Sequence, residues 1–150
     1  MRRVRFWVPG DPAALARARV GRRGHWYTPR ESVDAEQQVG LAWLATGGKP
    51  FGPHIPLAIH VEAYCRRPKK PKHPFPSRPD ADNVAKLVSD ALERVGAYGN
   101  DSQVVGIWCW KRWVDVLHKE PGCMIYIEEV EGDVPLGWMF YIEEVEGDEP

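Results

Sequence analysis

Two aspartates separated by a single residue, Asp80 and Asp82, are the side chains of this sequence best suited to chemistry. Asp82, Lys86 and Asp90 recur every four residues, so on a helix they share one face. Another aspartate, Asp101, follows a Gly-Asn turn, and a return of the chain would bring it toward the start of that helix. Carboxylates this close repel each other unless a positive charge neutralises them. Three carboxylates and a lysine suit Mg²⁺, which prefers oxygen ligands and shares its shell with phosphate, and so they predict phosphodiester hydrolysis.

Simpler interpretations of the two aspartates exist. An aspartate before a helix usually caps it and stabilises it by about 1 kcal/mol, and Lys86 would then be an ordinary ion-pair partner of Asp82. A Ca²⁺ loop needs Asp or Asn at its fifth position and Gly at its sixth, whereas Val84 and Ala85 stand there. The segment also matches the D-x-D-x-[TV] motif of haloacid-dehalogenase phosphatases. That motif ends a buried strand, which the proline-rich residues before Asp80 do not form.

A basic loop precedes the aspartates. Six positive side chains, with no acidic residue among them, occur within thirteen residues: Arg66, Arg67, Lys69, Lys70, Lys72 and Arg78. Prolines keep the loop extended, so its charges can follow a phosphate backbone. We expect four further residues to contribute to DNA binding: Arg17, Arg19, Lys111 and Arg112. We expect three tryptophans in the core or at a subunit interface rather than stacked on bases: Trp108, Trp110 and Trp113.

The elements that must position these residues follow from sequence periodicity. Alternating or aromatic-rich runs predict strands over residues 3–8, 57–65, 103–114 and 123–129. A capping box at Thr28–Glu31 opens a helix that ends near Ala45 and whose inner side carries Val39, Ala42 and Trp43. A second helix spans about 82–95, and residues 10–24 are expected to be irregular. This order is typical of an α+β or a mixed α/β domain, and we predict a single α+β domain, a mixed β-sheet with two main helices packed on it.

Composition and charge limit the class of protein. The chain has 150 residues, of which 43% are hydrophobic, enough for one core and too many for intrinsic disorder. All 20 basic residues lie in 1–119 with 11 acidic ones, whereas 120–150 holds ten acidic residues and no Lys or Arg. A basic body favours polyanionic partners, nucleic acid above all. We expect no membrane span and no secretory signal, and three separated cysteines without a C-x-x-C pair are typical of a reducing cytosol.

Two motifs, R-P-D-A-D-N-x-x-K-x-x-x-D-A-L at 78–92 and N-D-S-Q-V-V at 100–105, resemble those of the RusA-type Holliday-junction resolvases of bacteria and their phages. The resemblance implies a RusA-like endonuclease domain over residues 1–130 and extends to the arginine-bearing N-terminal segment. Residues 131–150 form an acidic extension, which we expect to be flexible. It repeats, at 141–148, the sequence YIEEVEGD of residues 126–133.

The resemblance also implies an activity and its residues. Members of this family are homodimeric, Mg²⁺-dependent endodeoxyribonucleases that nick four-way DNA junctions symmetrically. Asp80, Asp82 and Asp101 match the metal-binding catalytic acids, Lys86 matches the essential lysine, and Asp90 matches a recurrent position of supporting role. Mn²⁺ is a candidate substitute for Mg²⁺. The expected context is recombination, repair or phage DNA processing in the cytoplasm of a bacterial host cell. The alternatives are a metal-dependent nuclease for other branched DNA or for RNA, and a DNA-binding module without catalysis.

Overall fold

A computed structural model describes residues 1–14, 16 and 18–131 of the chain. In chain order the elements are β1 (Arg3–Pro9), β2 (Arg19–Val20), β3 (Trp26–Tyr27), α1 (Arg30–Ala45), β4 (Leu57–Cys65), α2 (Ala81–Arg94), a 3-10 helix (Asp101–Gln103), β5 (Val104–Trp113) and β6 (Gly122–Glu129). Every strand and helix predicted from the sequence is present, with ends shifted by one residue at most. Apart from Glu131, the predicted acidic extension lies outside the described residues.

The main sheet is mixed and has the strand order β1-β6-β4-β5. β6 pairs antiparallel with both β1 and β4, whereas β5 pairs in parallel with β4. β1, β4 and β5 therefore run in one direction, and their last residues, Pro9, Cys65 and Trp113, lie at one end, which we call the carboxyl end of the sheet. A parallel pair requires a crossover, and residues 66–103 supply it through α2. The predicted α+β class, with two main helices on one mixed sheet, is confirmed.

Both helices pack on the same face of the sheet. α2 buries the predicted stripe of Val84, Leu87, Val88, Ala91 and Leu92, and α1 buries Val39 and Trp43. These side chains meet the inward-facing strand residues in one core, among them Phe6, Ile59, Val61, Ile125 and Ile127. Each such aliphatic or aromatic side chain contributes about 1.5–3 kcal/mol when fully buried. The core therefore fixes how α2 lies along the sheet and leaves its polar face turned outward.

The opposite face of the sheet is polar and aromatic. Three side chains of the central strand β4 are buried there beneath their neighbours: His60, Glu62 and Tyr64. The Trp108 ring covers Gly106 and the Trp7 ring covers Gly122, where an added Cβ would meet the ring at 2.5 and 2.2 Å. A side chain at either position would therefore have to displace the aromatic ring that lies on the backbone.

Two local predictions are wrong. The capping box at Thr28–Glu31 is not formed, because the helix begins at Arg30 with Pro29 as its N-cap, and no side chain caps it. Thr28 thus stands one position too early to reach the free N–H groups of the first turn. The stretch 10–24 is not wholly irregular, since β2 within it pairs antiparallel with β3 in a hairpin.

Among the described residues, no helix is long and apolar enough to cross a membrane. The three cysteines, Cys65, Cys109 and Cys123, form no disulfide. Burial raises the pKa of Cys109 to about 11 and that of Cys123 to about 12. These thiols therefore stay protonated near neutral pH and are poor nucleophiles.

Candidate active site

The polar face of α2 and the edge strand β5 enclose a groove of about 520 Å³. The helical wall carries Asp82, Lys86, Ser89 and Asp90. The wall formed by β5 is largely apolar and carries Ile107, Trp108 and Cys109. Asp101 also lines the groove. Three of the four residues predicted to be catalytic therefore lie along one cavity. Sequence analysis missed Ser89 and the apolar wall, and the wall could be recognised only from the order of the strands.

Lys86 and the acidic residues of α2 share a face because their spacing matches the helical repeat. The Lys86 Nζ donates a hydrogen bond of 3.2 Å to Asp90 Oδ1, one turn further along the helix. The simple pair of Lys86 with Asp82 is not formed. Asp82 is exposed and takes part in no ion pair among the described residues. Its carboxylate is therefore free to bind an external positive group.

Asp80 occupies the N-cap position of α2, but its side chain accepts no capping hydrogen bond. The capping interpretation therefore does not account for this residue, and the usual gain of about 1 kcal/mol is not made. Asp80 is exposed and lies just before the groove rather than in its lining. The positive end of the helix dipole still favours a negative charge there.

A hydrogen-bond network that sequence analysis missed positions Asp101. Asn100 caps the 3-10 helix by accepting a 2.8 Å bond from the Ser102 N–H, and Gln103 accepts a 3.3 Å bond from the Asn100 N–H. The buried Gln103 side chain also donates to two backbone carbonyls before β4, at 2.9 and 3.1 Å. These bonds tie the start of β5 to the loop before β4. The signal was Asn-x-x-Gln at 100–103, a capping-box pattern.

Asp101 lies toward the second half of α2 rather than at its start. The Tyr98 hydroxyl donates a 2.7 Å bond to the Ser89 carbonyl. Burial raises the pKa of Tyr98 to about 12, and nearby carboxylates that include Asp90 and Asp101 add to the rise. Asp82, two helical turns before Asp90, is about 12 Å from it along the axis. The chain does return along α2 as expected, but β5, not Asp101, reaches the beginning of the helix.

The acidic residues of the groove are spread along it. Within the part of the chain that the structure describes, no three His, Cys, Asp or Glu side chains are close enough together to hold a metal ion. Mg²⁺ is nevertheless commonly bound by one or two carboxylates and completes its shell with water and substrate phosphates. The exposed carboxylates of Asp82 and Asp101 each fit a site of that open kind, and together they do not form a closed protein cage.

The basic loop, residues 66–78, connects the carboxyl end of the sheet to the start of α2. Its six predicted DNA-binding side chains are all exposed. Arg66 pairs with Asp11 at 3.6 Å, and the Lys111 Nζ donates a 3.5 Å bond to the Ser77 carbonyl. The second contact ties the end of β5 to the loop, so positive charge surrounds the end of the groove at which α2 begins.

The other predicted contacts are dispersed. Arg112 is exposed next to Lys111, Arg19 is exposed on β2, and Arg17 lies outside the described residues. The three tryptophans of β5 do not belong to the hydrophobic core, and Trp110 is 53% exposed. The core location expected for them is therefore wrong, and the subunit-interface location stays a prediction.

An α+β domain with a groove of carboxylates and a lysine beside a basic surface has the features of an enzyme that acts on a nucleic-acid backbone. The family model "Endodeoxyribonuclease RusA" matches residues 9–128 of the chain. The chain belongs to this family and is an endodeoxyribonuclease, a hydrolase that resolves Holliday junctions. The resemblance noted from the motifs is confirmed. A search of curated proteins gives no match.

Proposed function

We propose that the chain is a metal-dependent endonuclease that resolves four-way DNA junctions by paired, symmetric nicks. The observation that carries this proposal is the groove that Asp82, Lys86 and Asp101 line together, next to an exposed basic loop. Membership of the RusA family supports the same activity. The competing activities are hydrolysis of other branched DNA and hydrolysis of RNA.

The ion, Mg²⁺ or in its place Mn²⁺, would be bound by one or two carboxylates at a time from Asp80, Asp82 and Asp101, because no three acidic side chains lie close together among the described residues. Water and the substrate phosphates would complete its shell. When bound, the ion would polarise the scissile phosphate and activate a water molecule. The Lys86 ammonium stabilises the negative charge that develops on the phosphate or on the leaving oxygen. Asp90 orients that ammonium through the 3.2 Å hydrogen bond, while the Lys86 side chain stays 63% exposed and can reach a bound phosphate. In-line attack by water should leave products with 5′-phosphates.

The basic residues would hold the DNA backbone across the groove. Phosphate contacts fix the register and orientation of a duplex without reading its sequence. The exposed side chains of loop 66–78, together with Lys111 and Arg112, would place a strand over the end of the groove where α2 begins. DNA affinity should therefore fall steeply as the salt concentration rises.

A homodimer would supply the second nick. One groove addresses one strand, whereas resolution of a junction requires two matched cuts related by a two-fold axis. β5 is one of the two edge strands of the sheet and exposes Val105, Ile107 and Trp110 at 56, 39 and 53%. An exposed apolar edge strand pairs readily with another strand. Sedimentation equilibrium should give twice the chain mass of 17.0 kDa, and a monomer that still made paired nicks would contradict the dimer.

The deciding experiment incubates the full chain with a mobile four-way junction, a flapped duplex, a hairpin RNA and a linear duplex. Each substrate carries labels on two strands and is tested with Mg²⁺, with Mn²⁺ and with EDTA. We expect symmetric nicks near the branch point of the junction, with either metal and not with EDTA. Faster cleavage of the flap or the RNA would favour a competing activity, and cleavage in EDTA would refute the metal requirement.

The cellular setting that we propose is the cytoplasm of a bacterial host, where the enzyme would act in recombination, repair or phage DNA processing. The junctions that the family resolves arise when DNA strands are exchanged, and this supports the proposed setting. A host in which deletion of the gene leaves recombinant yield and survival of DNA damage unchanged would contradict it.

A further inference from the structure

The hairpin formed by β2 and β3 carries no part of the groove, yet it is ordered by its own backbone bonds. Val20 lies opposite Trp26, and Arg19 lies opposite Tyr27. The Gly21 N–H donates to the His25 carbonyl at 2.8 Å, and Gly24 closes the turn at a φ of +77° that favours glycine. The segment is therefore a tight β-ribbon with Arg22 and Arg23 at its tip.

The ribbon exposes aromatic side chains that the fold does not use. Trp26 is 73% exposed and Tyr27 49% exposed, and neither belongs to the hydrophobic core. A two-stranded hairpin alone is marginally stable, and burying these rings would stabilise the domain. Large exposed apolar groups set among polar ones are typical of interaction sites.

The charge of the ribbon identifies the chemistry of its partner. No Asp or Glu occurs between Asp11 and Glu31, whereas the hairpin and its tip carry Arg19, Arg22 and Arg23. All three arginines are exposed, and none forms an ion pair among the described residues. A surface of unpaired arginines and aromatic rings fits nucleic acid, because arginines bind phosphates and flat rings stack on unpaired bases.

The topology places this ribbon at the same end of the sheet as the basic loop and the start of α2. β1 ends there at Pro9, and the segment that follows is tied to the basic loop by the Asp11–Arg66 pair at 3.6 Å. The Ala16 N–H bonds to the Ser32 Oγ at 3.0 Å, which ties the same segment to the first turn of α1. The hairpin and the basic loop, which are separated by about forty residues in sequence, therefore lie at the same end of the sheet.

We propose that the hairpin Arg19–Tyr27 is a second DNA-binding site, one that takes unstacked bases at the branch point. The ring of Trp26 stacks on an exposed base, and the arginines at the tip bind the flanking phosphates. A β-ribbon is narrow enough to enter a groove, and apolar side chains inserted between base steps hold DNA open. This inference rests on the proposed function only in taking the branched substrate to be the source of the unstacked bases.

The test measures binding of the full chain, in EDTA, to three fluorescent probes: a four-way junction, a linear duplex and an oligo-dT strand. Trp26→Ala should weaken junction and oligo-dT binding roughly tenfold, the loss of one base stack, and should change duplex binding much less. Trp26→Phe should restore most of the loss because a flat ring is retained. A 2-aminopurine placed next to the branch point should brighten with the wild-type chain and not with Trp26→Ala.

Lys49 provides a matched control for the positive charge of Arg23, because it is exposed before β4, at the opposite end of the sheet. Arg23→Ala and Lys49→Ala each remove one positive charge. If Arg23 contacts a phosphate, its variant should lower the slope of log affinity against log salt by about 0.9, and the Lys49 variant should leave the slope unchanged. Equal effects of the two variants would show that only the net charge matters and would overturn the site.

Other outcomes separate this inference from the proposed function. Wild-type affinity for the junction and for oligo-dT in the Trp26→Ala variant would refute the hairpin site even if the enzyme resolves junctions. A Trp26→Ala chain that sediments as a monomer while the wild type is a dimer would show that the ribbon binds a second copy instead. An enzyme without junction preference whose oligo-dT affinity still depends on Trp26 would refute the proposed function alone.

Discussion

Replacing Lys86 by alanine separates a catalytic role of this residue from an ordinary ion pair on the helix surface. The lysine side chain is 63% exposed and its partner Asp90 is 30% exposed, with the two charged groups 3.2 Å apart. Exposed pairs with this i, i+4 spacing stabilise a helix by about 0.3–0.5 kcal/mol. Alanine also has a slightly better helix propensity than lysine, which offsets part of that loss. The melting temperature should therefore change by no more than about 2 °C.

The effect on cleavage should be far larger. The Lys86 ammonium is the basic side chain that lines the groove together with Asp82 and Asp101. Removing one preorganised group that stabilises developing charge typically costs about 10²–10³ in rate. That loss corresponds to about 3–4 kcal/mol in the activation free energy, roughly ten times the expected effect on stability. The ratio of the two effects is the signature of a group that acts in the reaction.

Single-turnover cleavage of a labelled junction gives the rate, and thermal unfolding followed by circular dichroism gives the stability. Asp90→Asn is the matched comparison, because it breaks the same ion pair and keeps the lysine. We expect this variant to melt like Lys86→Ala but to lose much less activity, since Asp90 only orients the ammonium. Equal activity losses in the two variants would show that the ion pair itself matters, and a fully active Lys86→Ala enzyme would refute the catalytic role.

Three further predictions concern Asp82 in the groove, the buried Tyr98 and the acidic extension. Asp82→Asn should abolish cleavage while junction affinity in a binding assay stays equal or rises, because a negative charge near the phosphates is lost; wild-type cleavage would instead mean that the carboxylate is dispensable. Burial raises the pKa of Tyr98 to about 12, so the free energy of unfolding should fall as pH rises from about 10 toward 12. Urea titrations should show a smaller fall for Tyr98→Phe, and an equal fall would contradict this assignment. Truncation after Glu131 removes six acidic residues and no basic one, and should tighten DNA binding at low salt more than at high salt, which equal affinities across a salt series would refute.

Local periodicity predicted most of the fold, because each main element carries its pattern within its own sequence. The apolar stripe of α2 repeats at helical spacing, and the core side of β4 alternates from Leu57 to Cys65. The burial of Glu62 and Tyr64 on the other side of β4 was not predicted. It depends on β5 and β6 flanking that strand, which is a property of strand order and not of the strand itself.

The hairpin escaped prediction for a related reason. Its strands have two residues each, too few to show an alternation, and only the Gly-Arg-Arg-Gly turn between Val20 and His25 signals it. The place of Asp101 depends on long-range contacts, since the buried Gln103 side chain binds carbonyls about fifty residues earlier in the chain. Spacing alone predicted that Asp82 and Asp90 share one face of α2, but it did not predict that Asp80 lies outside the groove lining or how far apart the acidic residues lie along the groove.

The charges near the groove argue that the site serves an external ligand and not the stability of the fold. Asp82 and Asp101 are exposed at the groove, and among the described residues neither pairs with a basic side chain. For Asp82, which lies at the start of α2, basic residues are plentiful nearby. Among the described residues, Arg66 is the only one of the six basic residues of loop 66–78 that pairs with an acidic side chain. Ion pairs between the acidic residues of the groove and the basic residues of the loop would stabilise the domain and neutralise both groups. Without such pairs, like charges repel each other within each group. A divalent ion bound by the acids and phosphates bound by the loop would relieve both kinds of repulsion at once, so metal and DNA should each bind more tightly in the presence of the other.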